Sequence, residues 1–136
     1  MKILVTGATG FVGTKLCHKL YEANYELVIL SRNPEKAKAH FSLPFTYVNF
    51  NELSQELINS LDGVINLMGE NISAKRWSDS QKEVLSSSRV ESTKNLVALL
   101  SKREEKLKFF IQASAIGYYP VNLIAKLTES TPAGDG

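Results

Sequence analysis

Short, nearly continuous apolar runs alternate along this chain with stretches whose apolar residues recur at helical spacing. Lys2-Ile3-Leu4-Val5 has the pattern of a strand buried on both faces. A glycine-rich segment, Thr6 to Gly13, leads into a helical pattern with Val12, Leu16, Cys17 and Leu20 on one side, which Asn24 is placed to stop. Glu26 to Ser31 predicts a second buried strand. Asn33-Pro34 then reads as an N-cap with proline in the first helical position, opening a short helix through Lys36, Ala37, Lys38 and Ala39. Phe45 to Val48 predicts a third strand, and Glu52 to Leu61 a helix with Leu57, Ile58 and Leu61 inward. Asp62-Gly63 turns the chain into a fourth strand, Val64 to Leu67. Ser78 to Ser101 predicts the longest helix, with Leu85, Thr93, Leu96, Val97 and Leu100 on its inner face. Phe109 to Ala113 predicts the fifth strand.

Five alternations of strand and helix call for a parallel sheet covered by helices on both faces. Right-handed crossovers narrow this α/β architecture to a doubly wound sheet of about five strands. No repeat, linker or low-complexity tract divides the chain, and its 136 residues point to one domain, 1–136.

Composition excludes more than it selects. One cysteine rules out an internal disulfide or a cysteine-built zinc site, and two histidines, His18 and His40, make a histidine-built metal site a poor reading. Cys17 falls on the inner helix face and reads as a small buried hydrophobe rather than a reactive thiol. His18 is expected on the helix surface and His40 in a loop. Sixteen basic and fourteen acidic residues leave a net charge of +2. Neither nucleic acid nor an anionic membrane is implied by that balance, and there is no basic stripe with interleaved aromatics. Lys36-Ala37-Lys38 and Lys102 to Lys106 read as solvated surface. The apolar start is too short for a secretory signal, and no run approaches the roughly 18 residues of a membrane span, so a cytoplasmic chain is the expectation.

The chemistry concentrates in Thr6-Gly7-Ala8-Thr9-Gly10-Phe11-Val12-Gly13, between a predicted strand and a predicted helix. Gly7 permits a tight turn. Gly10 lets main chain approach a pyrophosphate, and Gly13 lets the helix pack closely on the strand. The free N–H groups and positive dipole end of the helix then face the phosphates. The plain alternative is a glycine-rich turn without a ligand. A P-loop fails in register, because Gly13 is followed by Thr14 and only then by Lys15. At the end of the second strand an NAD site places an acid for the ribose 2′-hydroxyl. Here Ser31-Arg32 stands instead, a guanidinium for a 2′-phosphate with a small neighbour, which favours NADP over NAD. The plain alternative for Arg32 is a surface cation ahead of a helix.

The spacing Thr6-Gly7-x-x-Gly10-x-x-Gly13 resembles the extended short-chain dehydrogenase/reductase superfamily, in its epimerase/dehydratase branch. Asn66-Leu67-Met68-Gly69-Glu70-Asn71-Ile72 is similar to the N-L-A-G-E-N-I stretch of one subgroup, labelled sugar-nucleotide epimerases or cell-division inhibitors. Arg76-Trp77, Ser88-Arg89-Val90, Thr93 and Ala113-Ser114-Ala115-Ile116-Gly117-Tyr118-Tyr119 fit the same subgroup. The resemblance implies a Rossmann-type sheet with hydride-transfer chemistry at a carbinol or carbonyl carbon, on a substrate such as a nucleotide sugar. It implies that Gly7, Thr9, Gly10, Phe11, Val12 and Gly13 hold the pyrophosphate, and that Ser31 and Arg32 hold the adenosine ribose. Leu67, Met68 and Gly69 would lie beside the nicotinamide-side ribose, with Ser114 as the catalytic hydroxyl. The plain alternatives are a strand-end cap for Ser114, a turn glycine for Gly69 and a packing aromatic for Trp77.

Two departures bear on activity. The superfamily pairs its acid/base Tyr with a Lys four residues later, which lowers the pKa of a phenol near 10. Here Tyr21, Tyr25, Tyr47, Tyr118 and Tyr119 are followed at that distance by Tyr25, Ile29, Asn51, Asn122 and Leu123. In related enzymes the pair lies some two dozen residues beyond Ser114, just past Gly136, and members of the subgroup often lack it too. The resemblance also implies a further strand, a helix and a substrate-binding C-terminal region after Gly136, and Pro120 to Ala125 is more apolar than the subgroup's loop there. The chain is therefore expected to be the NADP(H)-binding part of such an oxidoreductase, or a dinucleotide-binding module or sensor without turnover. A homodimer is expected through a sheet edge left open after the fifth strand.

Overall fold

The computed structural model describes residues 1–69, 79–120 and 126–134. Among these residues, five parallel strands form one sheet in the order β3-β2-β1-β4-β5. They are β1 (Lys2–Thr6), β2 (Glu26–Leu30), β3 (Thr46–Val48), β4 (Gly63–Asn66) and β5 (Phe109–Gln112). The helices are α1 (Phe11–Glu22), α2 (Pro34–Phe41), α3 (Gln55–Ser60) and α4 (Asp79–Leu100), with 3₁₀ turns at Phe50–Glu52 and Ile116–Tyr118. The doubly wound arrangement follows from the side-chain alternation of buried strands. Ile3, Val5, Leu27, Ile29 and Ile65 point to one face, where Cys17 of α1 and Ala37 and Phe41 of α2 pack on them. Leu4, Val28, Leu30 and Val64 point to the other, against Ile58 of α3 and Leu96 and Leu100 of α4. Each such aliphatic side chain contributes roughly 1.5–3 kcal/mol when fully buried. Registration is continuous: Val5 lies opposite Ile29 on one side and Ile65 on the other, and Ile65 lies opposite Ile111.

Local chemistry places most element ends where the pattern predicts them. Asn33 caps α2 by accepting from the Lys36 N–H at 3.0 Å, with Pro34 behind it. Asn24 ends the turn after α1 at φ 61°. Four differences have clear causes. The expected helix over 52–61 is split, because two caps compete: Asn49 accepts from the N–H groups of Asn51 and Glu52 and closes a capping box, and Ser54 caps α3 separately. His40 belongs to the last turn of α2 rather than to a loop, within a ring contact of Phe41. Val12 is 62% exposed instead of inward, because Gly13 and Cys17, four residues apart, form the buried stripe and Val12 is rotated about 100° from Gly13. Val97 is turned outward beside the Leu96–Leu100 stripe in the same way. The expected inward placement of Leu85 falls on a side chain outside those described.

Cys17 is buried, and burial pushes its thiol up to about 12. Arg103 is not a solvated cation: it is half-buried and donates to the carbonyls of Ile58 and Glu105. At the amino ends of the strands, Asp62 accepts from the Lys2 N–H at 2.7 Å and from Lys108 Nζ at 2.5 Å, tying β1, β4 and β5 together. No helix among the described residues is long and apolar enough to cross a membrane.

The hydrogen bond from the Lys108 ammonium, followed by that from the Lys2 N–H, holds the Asp62 carboxyl below its ordinary range. A depressed folded pKa means stability that is full above the unfolded value, near 3.9, and lost as pH falls through the lower folded value. Asp62→Asn is therefore expected to lower the melting temperature at neutral pH, with the gap to the natural chain closing in strong acid. Thermal melts at the two pH values check this, and a gap that does not depend on pH would contradict it.

Candidate functional site

The carboxyl ends of β1, β2 and β4 open onto a cavity of about 520 Å³, within the usual size of small-molecule sites. Its floor is the loop between β1 and α1. Gly7 sits at φ +63°, and a Cβ there would lie 2.5 Å from the Leu67 carbonyl oxygen. At Gly13 a Cβ would lie 2.3 Å from the Gly7 carbonyl oxygen and 2.7 Å from Ala8 Cα. Main chain thus packs directly on main chain at both points, and α1 starts close above β1. Gly10 is the N-cap of α1 and provides no side chain to cap it. The first turn of the helix holds no acid, and Thr14 N–H is the one that reaches back to the Gly10 carbonyl, at 2.9 Å. The N–H groups of Phe11, Val12 and Gly13 therefore precede the intrahelical ladder. Such a terminus favours an anion by both its donors and its dipole.

Eight of the eleven residues expected to bind a cofactor line this cavity: Gly7, Thr9 and Gly10 from the loop, Ser31 and Arg32 beyond β2, and Leu67, Met68 and Gly69 beyond β4. The other three sit beside it. Phe11 is 83% exposed, with Lys15 Nζ 4.9 Å above its ring, and Val12 also faces outward. Their side chains therefore do not form the cavity wall; what these two positions offer it is main-chain N–H. Gly13 acts through the close packing just described. The Ser31 hydroxyl is not simply empty room for a phosphate. It accepts from the Asn33 N–H and donates to the Asn33 carbonyl, both at 3.2 Å, and so shapes the turn that carries the exposed Arg32. Ser114 is exposed just beyond β5 and does not line the cavity. Arg76 and Trp77, and the motif positions Glu70, Asn71 and Ile72, lie outside the described residues.

The residues present fit a dinucleotide. The cradle is one that a Cβ at Gly10 would intrude upon, 3.2 Å from the Gly7 carbonyl oxygen, and a cation stands at the β2 end of the same cavity. Four wall residues escape a reading of the motifs: Ile29 and Leu30 at the end of β2, Phe50 and Ser92. Phe50 opens the 3₁₀ turn after β3 and is held there by the Asn49–Glu52 capping box. Its position just past the carboxyl end of a parallel strand is the signal that would have found it. Ser92 of α4 also lines the cavity, and no local pattern marks it. Across the mouth, Arg89 of α4 lies against Gly69, its Nε 2.9 Å from where a Cβ would stand, so this glycine makes room for a side chain of α4.

A doubly wound α/β protein with a bare main-chain cradle at its first helix is the class these features define. The chain matches the family model described as the NAD dependent epimerase/dehydratase family over residues 3–135. It belongs to that family. It is 37% identical over 131 residues to an epimerase family protein, SH2119, of Staphylococcus haemolyticus, covering 94% of this chain and 42% of that one. It is 33% identical over 138 residues to the human epimerase family protein SDR39U1, covering 99% of this chain and 44% of the human one. The crystal structure of human SDR39U1 (isoform 2) with NADPH superposes with a TM-score of 0.80 at 30% identity, covering 100% of this chain and 44% of that one. The UDP-glucose 4-epimerase of Bifidobacterium longum, solved with NAD⁺ and UDP, shares the fold with a TM-score of 0.72 at 22% identity, over 99% and 43% of the two chains. The chain thus spans less than half the length of these relatives.

Gly13→Ala places a methyl group into main chain that has no room to yield. Overpacking of this kind costs about 1–3 kcal/mol or more, so the variant is expected to lose on the order of 3 kcal/mol in urea unfolding. A variant as stable as the natural chain would show that α1 does not need this approach.

Proposed function

We propose that residues 1–136 act as one NAD(P)-binding unit, holding NADP in preference to NAD. The reading rests on one observation, the uncapped start of α1 opening on a cavity whose β2 end carries Arg32. The NADPH in the structure of human SDR39U1, 30% identical, supports it. The N–H groups of Phe11, Val12 and Gly13 would receive the diphosphate, with Gly10 leaving the approach open and Thr9 at its side. Arg32 would take the 2′-phosphate with its guanidinium fork, on a turn held by Ser31. Phe50 would meet the adenosine end, while Leu67, Met68 and Gly69 would face the nicotinamide half.

When bound, the nicotinamide supplies hydride donation or acceptance at a carbinol or carbonyl carbon. Ser114 would hydrogen-bond the substrate oxygen on that carbon and fix its orientation. Following the family resemblance, we take the chain to be the cofactor-binding part of a cytoplasmic epimerase or related oxidoreductase, acting on a nucleotide sugar. A second reading is a binding module or sensor without turnover. Under either reading we expect a dimer or weak self-association. A purely monomeric sedimentation profile at high concentration would count against that dimer.

The cofactor assignment is tested by titrating NADPH and NADH against the natural chain and Arg32→Ala. A charge-assisted hydrogen bond is worth about 1.5–3 kcal/mol, so NADPH affinity is expected to fall roughly ten- to a hundredfold. NADH affinity is expected to stay within about twofold, because NADH has no 2′-phosphate. Equal losses for both would remove the preference for NADP.

A further inference from the structure

Asn66, the last residue of β4, is fully buried, and Thr6 of β1 is the other buried polar residue among those described. A buried amide is tolerated when its two donors and its acceptor oxygen all find partners, and each unpaired group costs about 1–3 kcal/mol. Here every one is matched. The Met68 N–H can only donate, so the atom facing it, at 3.3 Å, is the amide oxygen. The same oxygen accepts from the Thr6 hydroxyl at 2.5 Å. The amide nitrogen, on the opposite side, donates to Gln112 Oε1 at 2.6 Å and to Thr93 Oγ1 at 3.2 Å. No buried side-chain nitrogen or oxygen among the described residues is left without a partner.

The four partners belong to four different elements: β1, the loop after β4, α4 and β5. Thr6 immediately precedes Gly7, where the phosphate loop begins. Met68 is in the loop that lines the cavity beyond β4. Thr93 is the α4 neighbour of Ser92, which also lines it. Gln112 ends β5, two residues before Ser114, and its own amide nitrogen donates to the Ala113 carbonyl at 2.9 Å. Main chain runs in parallel with this side-chain link: Leu67 N–H reaches the Thr6 carbonyl at 3.3 Å, and Ala113 N–H reaches the Asn66 carbonyl at 2.9 Å. The adenosine end, by contrast, lies at β2 and β3, on the other side of β1.

We propose that Asn66 is a positioning residue for the nicotinamide half of the site. Through Met68 it sets the height of the 67–69 loop, and through Gln112 it sets the end of β5 that leads to Ser114. It touches neither the adenosine subsite nor the turn that carries Arg32. This inference rests on the dinucleotide reading above, and it predicts an effect that depends on which part of the ligand is present.

The test compares NADPH with adenosine 2′,5′-bisphosphate, which keeps the 2′-phosphate and lacks the nicotinamide half. Both are titrated against the natural chain and Asn66→Leu, with melting temperatures measured alongside. Asn66→Leu keeps the branched outline of the amide and leaves the Thr6 hydroxyl and the Met68 N–H unpaired. NADPH affinity is expected to fall at least about tenfold, and that for the bisphosphate to stay within about twofold. If Asn66→Leu does not fold, Gln112→Met, at an exposed position, and Thr93→Val each remove one link. Each should then show the same split at roughly threefold. Parallel losses of both ligands, or unchanged NADPH binding in folded variants, would overturn the positioning role. A natural chain that binds neither ligand would instead overturn the dinucleotide reading and this role with it, and is read before any variant is compared.

Discussion

The structure depends on one close approach, that of α1 to the end of β1. At Gly13 the helix comes so near that a single carbon atom would sit 2.3 Å from the Gly7 carbonyl oxygen, and at Gly7 a carbon would sit 2.5 Å from that of Leu67. Three segments, the glycine-rich loop after β1, the start of α1 and the loop after β4, are thereby stacked with no side chain between them. That stacking does two things at once. It places the uncapped N–H groups of α1 above the sheet, and it brings Leu67, Met68 and Gly69 to the opposite wall of the same cavity. Cys17 then continues the buried stripe, and the core on that face follows from it.

How far this was legible in the chain itself varies with the physics involved. The strands themselves and the cap at Asn33 follow from local rules. Buried parallel strands read as apolar runs, and Asn33 with Pro34 can open a helix in few other ways. The glycines were legible because their spacing reports main-chain geometry directly. What escaped depends on contacts that spacing does not encode. Val12 matches the helical period with Leu16 and still faces solvent, because Gly13 takes the close side of the helix. Phe50 and Ser92 reach the cavity from the far side of the sheet order, by way of a capping box and a long crossover. Arg103 reads as part of a charged surface run, and its partner, the Ile58 carbonyl, lies far off in the chain.

Asn66 shows why a polar residue at the end of a buried strand carries more information than its apolar neighbours. Leucine or valine would fill the same space and would leave the loop after β4 and the end of β5 free to settle separately. The amide, with all of its partners in place, couples them to the end of β1 and to α4. A fully satisfied buried network of this kind specifies one arrangement of the walls around it. The Asn66 network and the glycine stacking are thus complementary devices. One fixes where the backbone segments lie relative to each other, and the other fixes how close they come.

The central claim, that the bare start of α1 grips the diphosphate through main-chain N–H groups, is tested most directly by NMR. In ¹⁵N-labelled protein titrated with NADPH, the amides of Gly10, Phe11, Val12 and Gly13 should show the largest shift changes and should saturate together. Amides at these four positions that stay in place while NADPH binds elsewhere, or a spectrum that NADPH leaves unchanged, would contradict the account.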